Sequence, residues 1–198
     1  MRISDDRYSR DRLRLDIAMH FIRHEARTRT IRQWTGLTDD RIRKLYRSYL
    51  QAGGYRVVRH RGKSPQQAAF FLRTSRLRQE AAAFAGLCCL VGLLDGRRGQ
   101  PQQCLAWSVG GATALCQAYE VYRATVGAPA ISFEHAVLLV NAVALGQELR
   151  IGACQGCGVL LVLDTLALRA ARCQLCAPDA LRRPPGAARG ARPEAVYR

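Results

Sequence analysis

Apolar residues recur every three or four positions along the first fifty residues, and the spacing defines the opening elements. Over residues 7–25, Leu13, Ile17 and Phe21 repeat every four positions with Ala18 and Ile22 beside them, while Arg7, Arg10, Arg14 and Arg23 fall largely on the other side. This predicts an amphipathic helix with a basic face. Residues 28–34 predict a short helix that stops at Thr35-Gly36-Leu37, with Gly36 in the left-handed conformation. Thr38 or Asp39 then caps a helix over 40–50, whose acidic start suits the helix dipole. Ile42, Leu45 and Tyr49 form its inward stripe, against which Ile31, Trp34 and Leu37 pack. Two helices joined by a glycine turn make a helix-turn-helix-like unit, a pattern also common in helical hairpins that never meet DNA.

The middle of the chain is more apolar. Residues 65–95 predict helix in two pieces broken near Thr74-Ser75, with Ser64 as cap and Pro65 at the first helical position. Phe70, Phe71 and Leu72 are core candidates. The run 81–94 is apolar nearly all round, so neighbours must cover most of it, and Gly96 is its natural stop. Residues 101–125 predict a helix opening at Pro101, with Trp107, Leu115, Tyr119 and Tyr122 on its packed side. Ser132 caps a last helix through Arg150 that buries Val137, Leu138 and residues 140–145; His135 is a surface or capping residue. From Ile151 the helical period gives way to short β-type runs, 159–163 above all, with Asp164-Thr165 as a turn. Beyond Cys176, Pro178, Pro184, Pro185 and Pro193 stand among glycines and arginines, which predicts a disordered basic tail.

The predicted class is therefore mainly α, with a small C-terminal ribbon. Four regions follow: a basic helical, helix-turn-helix-like region (1–64), an apolar helical core and partner-binding region (65–150), a ribbon (151–178) and a basic tail (179–198).

The ribbon carries the clearest chemistry. Cys154-Gln155-Gly156-Cys157 and Cys173-Gln174-Leu175-Cys176 are two Cys-x-x-Cys pairs separated by fifteen residues. Each pair can occupy two corners of a tetrahedron from one tight turn, and Gly158 follows the first where a positive φ is needed. Four thiolates close the sphere of one structural Zn²⁺ and leave no position for water or substrate. Disulfides fit poorly without a secretory segment, and a redox Cys-x-x-Cys would be single. An iron–sulfur cluster is a less common occupant of this spacing. Cys88, Cys89, Cys104 and Cys116 read as reduced thiols in a helical core.

Charge changes the picture at the two ends. The 198-residue chain has a formal charge of +16, or about +14 with one Zn²⁺ on four thiolates. Residues 1–63 hold 17 basic and 7 acidic groups, residues 64–149 hold 6 and 5, and residues 150–198 hold 8 and 3. Two basic arms flank a nearly neutral middle, which points to a polyanion, nucleic acid first. Arg41, Arg43, Lys44 and Arg47 are the polar face of the second helix of the early pair; Arg169, Arg172, Arg182 and Arg183 belong to the C-terminal arm. Arginine supplies 29 of the 31 basic residues, a skew that looks like coding bias, so no single arginine is read as a specific base reader. Gly62-Lys63-Ser64 is not a phosphate loop, because the first glycine of that motif would fall on Val57. No membrane or targeting segment stands out, and a cytoplasmic location is expected.

Several blocks together resemble FlhC, a subunit of the bacterial flagellar master regulator. They are Thr35-Gly36-Leu37-Thr38 leading into Arg43-Lys44-Leu45-Tyr46, Gly62-x-x-Pro65 before Phe70-Phe71, the 116–123 segment with Ala118-Tyr119 and Tyr122, and the final four cysteines. The resemblance runs from about Leu13 to Arg183. It implies a complex of four FlhD and two FlhC chains that binds double-stranded promoter DNA and activates flagellar and other operons with RNA polymerase. It also implies zinc on Cys154, Cys157, Cys173 and Cys176. The sequence departs from the family in having one glycine after the first cysteine pair and an apolar loop without aromatics between the pairs.

A DNA-binding transcriptional activator is thus the leading expectation. The alternative is a structural zinc protein of an RNA-containing assembly, which would want exposed aromatics on a platform; aromatics are only 7% here and most fall on inward stripes. Catalysis is not expected. A zinc deaminase needs a His/Cys-x-Glu element and an open metal position, and no paired carboxylates or nucleophile–base signature replaces them.

Overall fold

The computed structural model describes residues 2–51, 58, 60, 62–96, 108–167 and 171–177, with the side chains of 2–6 left out. The described residues form six α-helices: α1 (Arg2–Arg23), α2 (Thr28–Thr35), α3 (Asp39–Gln51), α4 (Ser75–Leu90), α5 (Val109–Thr125) and α6 (Phe133–Leu145). A 3₁₀ turn at Ala68–Leu72 precedes α4, and two strands, β1 (Leu149–Ala153) and β2 (Leu160–Asp164), follow α6. The chain is mainly helical with a small sheet, as the hydrophobic period implies. No described helix is long and apolar enough to cross a membrane.

The amphipathic stripe of α1 acts only in its second half. Ile17, Ala18, Phe21 and Ile22 are buried, but Leu13 is 47% exposed. The helix also stops earlier than its period implies. Glu25 takes φ +60, Ala26 N–H reaches back to Phe21 O at 2.9 Å and Glu25 N–H to Ile22 O at 2.9 Å. That is a Schellman ending built on a glutamate instead of a glycine. The left-handed cost, about 1–2 kcal/mol, is offset by the Glu25 carboxylate, which accepts from Val58 N–H and from His60 Nε2.

The α2–α3 pair forms as its turn chemistry dictates. Gly36 sits at φ +70 and its N–H bonds Arg32 O at 2.8 Å. Thr38 Oγ1 accepts from Arg41 N–H, and Asp39 and Asp40 occupy the first turn of α3. Ile31, Trp34, Leu37 and Ile42 are buried as expected. The inward stripe of α3, however, centres on Ile42 and Tyr46; Leu45 and Tyr49 are only half-buried. Tyr46 is drawn in because its hydroxyl donates to Ala26 O.

Four helix boundaries in the middle depart from the sequence expectation, one of them the start of α5, which Ser108 caps through Gly111 N–H in place of an opening at Pro101. Ser64 caps nothing: its Oγ is buried with no partner among the described residues, and regular structure begins only at Ala68. The break near Thr74 holds, with Thr74 Oγ1 accepting from Leu77 N–H at 3.2 Å. Helix α4 ends at Leu90 rather than near Gly96, because Leu93 N–H turns back to Cys88 O and buries the Leu93 side chain. Helix α6 ends at Leu145, not Arg150. Gly146 takes the left-handed cap, and residues 149–150 pair into the sheet instead. Ser132 caps α6 as read from the sequence, accepting from His135 N–H. Pro101, Cys104 and Trp107 lie outside the described residues, as does the basic tail.

One hydrophobic cluster runs from Ile17 to Val162. Its centre is aromatic: Phe21 meets Phe133 edge-on at 5.0 Å and Trp34 at 5.9 Å, Tyr119 meets Phe133 at 5.1 Å, and Phe84 meets Tyr122 at 5.6 Å. These contacts join α1, α2, α4, α5 and α6. The apolar α4 is covered by α5, α6, the 3₁₀ turn and β2. The antiparallel sheet pairs Leu149 with Asp164 through Ala153 with Leu160, and it lays Leu149 and Val162 into the same core.

Two buried carboxylates organise the polar interior. Glu80 accepts from Arg76 Nε at 2.7 Å, from Ala130 N–H at 2.8 Å and from the Tyr122 hydroxyl. Glu134, in the first turn of α6, accepts from Arg27 N–H at 2.8 Å and from Thr30 Oγ1 at 3.0 Å. Arg27 is the N-cap of α2 and makes no side-chain cap of its own. A carboxylate from α6 therefore caps α2 from outside, and its charge suits the positive end of that helix.

Candidate metal centre

The end of β1 delivers Cys154, and the tight turn after it delivers Cys157. Cys154 N–H bonds Val159 O at 2.8 Å and Gly158 N–H bonds Cys154 O at 2.9 Å, closing a loop around the first pair. Gly158 takes φ +76, the conformation anticipated for it. The second pair makes a matching turn, with Cys176 N–H and Ala177 N–H both donating to Cys173 O. Gln155 N–H to Ala171 O, at 2.9 Å, joins the two turns. Gln79 Nε2 on α4 donates to Gln174 Oε1 at 2.9 Å and ties the second turn to the helices.

All four Sγ atoms lie within 4.8 Å of one another, and Cys157 Sγ stands 3.6 Å from Cys173 Sγ. Four sulfurs bound to one Zn²⁺ at about 2.3 Å would stand about 3.8 Å apart. The cluster therefore has the size of a tetrahedral thiolate site and could hold a metal ion. None of the four cysteines is in a disulfide. Gly156 is required sterically: a Cβ there would fall 2.8 Å from Cys176 Sγ and 3.1 Å from Cys176 Cβ. No role for this glycine was read from the sequence beyond its place between two cysteines.

Cys154 and Cys176 differ in their readiness to ionise. Cys173 and Gly156 donate N–H groups to Cys154 Sγ at 3.2 and 3.3 Å. Backbone donation, from Cys173 foremost and then Cys157, pulls the Cys154 thiol down to about 6. The neighbouring thiols of Cys173, Cys157 and Cys154 push Cys176 up to about 12. One thiolate of the cluster therefore forms more readily than another. Away from this cluster, Cys88 and Cys116 are buried and Cys89 half-buried. Burial first, then Glu120, raises Cys116 to about 12, which leaves it an inert thiol.

The four basic residues expected on the second helix of the early pair lie on α3 and are not part of the cysteine cluster. Arg41, Arg43, Lys44 and Arg47 are all exposed on α3, opposite buried Ile42 and Tyr46. Arg43 pairs with Asp40 at 3.1 Å and Arg41 with Asp11 at 3.6 Å. Such exposed pairs contribute about 0–1 kcal/mol and yield to a phosphate. Arg172 is exposed beside Cys173; Arg169, Arg182 and Arg183 lie outside the described residues. His135 packs its ring on Phe70 at 4.1 Å and meets Ser132 Oγ through Nδ1 at 2.8 Å, away from any metal-ligating cluster.

No protein-family model matches this chain, and no curated protein matches it.

Proposed function

We propose that the chain is an FlhC-like subunit of a DNA-binding transcriptional activator, with one structural Zn²⁺ held by Cys154, Cys157, Cys173 and Cys176. The reading is supported most by the closed, thiol-only cluster, which has the size of a Cys₄ zinc site and offers no open position for catalysis. Bound there, zinc would supply the folding energy that so small a ribbon lacks, on the order of 10 kcal/mol. The α2–Gly36–α3 pair acts as a helix-turn-helix whose exposed face, Arg41, Arg43, Lys44 and Arg47, lies on duplex phosphates. The C-terminal arm, with Arg169, Arg172, Arg182 and Arg183, adds a second basic grip. As the resemblance implies, the working form is a hetero-oligomer of four FlhD and two FlhC chains at flagellar promoters with RNA polymerase.

The test is a salt titration of binding to a labelled promoter duplex by the zinc-loaded chain co-purified with its partner. The reading expects log K to fall steeply with log salt, and the slope to shrink by about 1 for each phosphate-contacting residue removed, Arg47→Gln or Lys44→Gln. A flat salt response, or tighter binding to single-stranded RNA than to the duplex, would overturn it.

A further inference from the structure

A cavity of about 420 Å³ lies between the end of α1, the start of α2 and the loop joining α5 to α6, on residues that the metal centre does not use. That size is typical of small-molecule sites. Three elements each send it an arginine: Arg23 from the last turn of α1, Arg27 at the α2 cap and Arg123 near the end of α5. Arg23 and Arg123 are exposed and have no acceptor for their guanidinium groups among the described residues. Arg27 donates through one terminal nitrogen to Lys63 O, but its Nε is buried with no partner there.

His24 bounds the cavity on one side. Its side chain is only 7% exposed, and its Nε2 stands 3.2 Å from Glu120 Oε1. Burial lowers its pKa, against the opposite pull of Glu120. Nδ1 is sealed from solvent and has no partner among the described residues, so the ring lines the cavity without offering it an acceptor. Two carboxylates also line the space, but both are already engaged. Glu25 accepts from Val58 N–H and His60, and Glu134 accepts from Arg27 N–H and Thr30. The N-terminal turn of α6 opens onto the same cavity, with Phe133 and Ile131 giving it an apolar wall. Two guanidinium groups without acceptors and a third only partly engaged, around a space larger than a bare anion needs, match an oxyanion carried on a small ester.

We propose that this cavity binds a small phosphate ester, its phosphate held by Arg23, Arg27 and Arg123. The site is separate from the basic face of α3 and gives the chain a small-molecule ligand of its own.

Calorimetric titration of the zinc-loaded full chain at fixed ionic strength tests this, with glucose 6-phosphate, orthophosphate, glucose and gluconate as probes. Glucose 6-phosphate is expected to bind saturably, at least tenfold tighter than each of the other three. Arg123→Gln and Arg23→Gln should each weaken it about tenfold, whereas Arg41→Gln on α3 should leave it unchanged. Both cavity arginines are exposed, so their variants should keep the parent thermal midpoint, and either one alone suffices for the comparison. Absence of saturable binding, equal losses from Arg41→Gln and Arg123→Gln, or gluconate binding as tightly as glucose 6-phosphate would overturn the proposal. So would a finding that duplex DNA alone occupies the cavity arginines.

Discussion

Replacing Glu134 tests the claim that α6 caps α2 from outside. In Glu134→Ala, two buried or half-buried donors lose their acceptor: Arg27 N–H, now 2.8 Å from Oε1, and the Thr30 hydroxyl, 3.0 Å from Oε2. A lost N-cap costs about 1 kcal/mol, and a buried donor left unsatisfied about 1–3 kcal/mol. The sum is about 3 kcal/mol, or roughly 6–12 °C in thermal midpoint for a domain of this size. Glu134→Gln should behave differently. Its carbonyl can still accept from Arg27 N–H while its amide donates to Thr30 Oγ1, which can accept. Only the charge–dipole contribution disappears, about 1 kcal/mol. Urea unfolding of both variants followed by circular dichroism reads the difference. Adding Thr30→Val should show a coupling of about 1–2 kcal/mol with Glu134→Ala, because the two share one bond. Equal costs for the Gln and Ala variants, or a cost below about 1 kcal/mol for Ala, would refute the reasoning.

Three other outcomes follow from the same geometry. Burial alone would raise the Glu80 carboxyl, but hydrogen bonds from Tyr122, Arg76 and Ala130 outweigh it and hold the group below its usual range. Its folded value is depressed, so its stabilisation is present above the unfolded value of about 4.3 and is lost as pH falls through the folded value. Glu80→Gln should therefore lose less urea resistance than the parent between pH 7 and pH 3, and an unchanged pH response would contradict this. Gly156→Ala should weaken metal binding at least tenfold in a chelator competition, since its Cβ would meet Cys176 Sγ at 2.8 Å; unaltered affinity would count against the observed turn. Gly36→Ala should cost about 1 kcal/mol in thermal unfolding, purely from the left-handed backbone, because nothing lies within 4 Å of the new Cβ.

What could be read from the sequence was chemistry that acts over a few residues. The Cys-x-x-Cys spacing, the left-handed positions of Gly36 and Gly158, and the caps at Thr38 and Ser132 depend on neighbours in the chain, and the structure carries each of them. The errors arose where a distant partner decided. The α6 period continues through Leu149, but pairing with Asp164 takes that residue into the sheet. Residues 93–94 look like more of α4, yet they are buried outside it. Tyr46 is not part of the stripe read from Ile42, Leu45 and Tyr49, yet it is buried because Ala26 O, 20 residues away, accepts its hydroxyl. Glu25 gave no sign of a left-handed turn, because the groups that favour it, Val58 N–H and His60, come from a later loop. The cavity was illegible for the same reason: its arginines come from α1, the N-cap of α2 and α5, and no local motif joins them.

The central claim is that four thiolates close around a single Zn²⁺. X-ray absorption at the zinc edge, with metal counting on the purified chain, tests it most directly. The account predicts one zinc per chain with four sulfur neighbours at about 2.3 Å, and loss of that metal in Cys154→Ser and Cys173→Ser. A chain that purifies without metal, that shows nitrogen or oxygen neighbours, or that keeps full occupancy in both variants would contradict it.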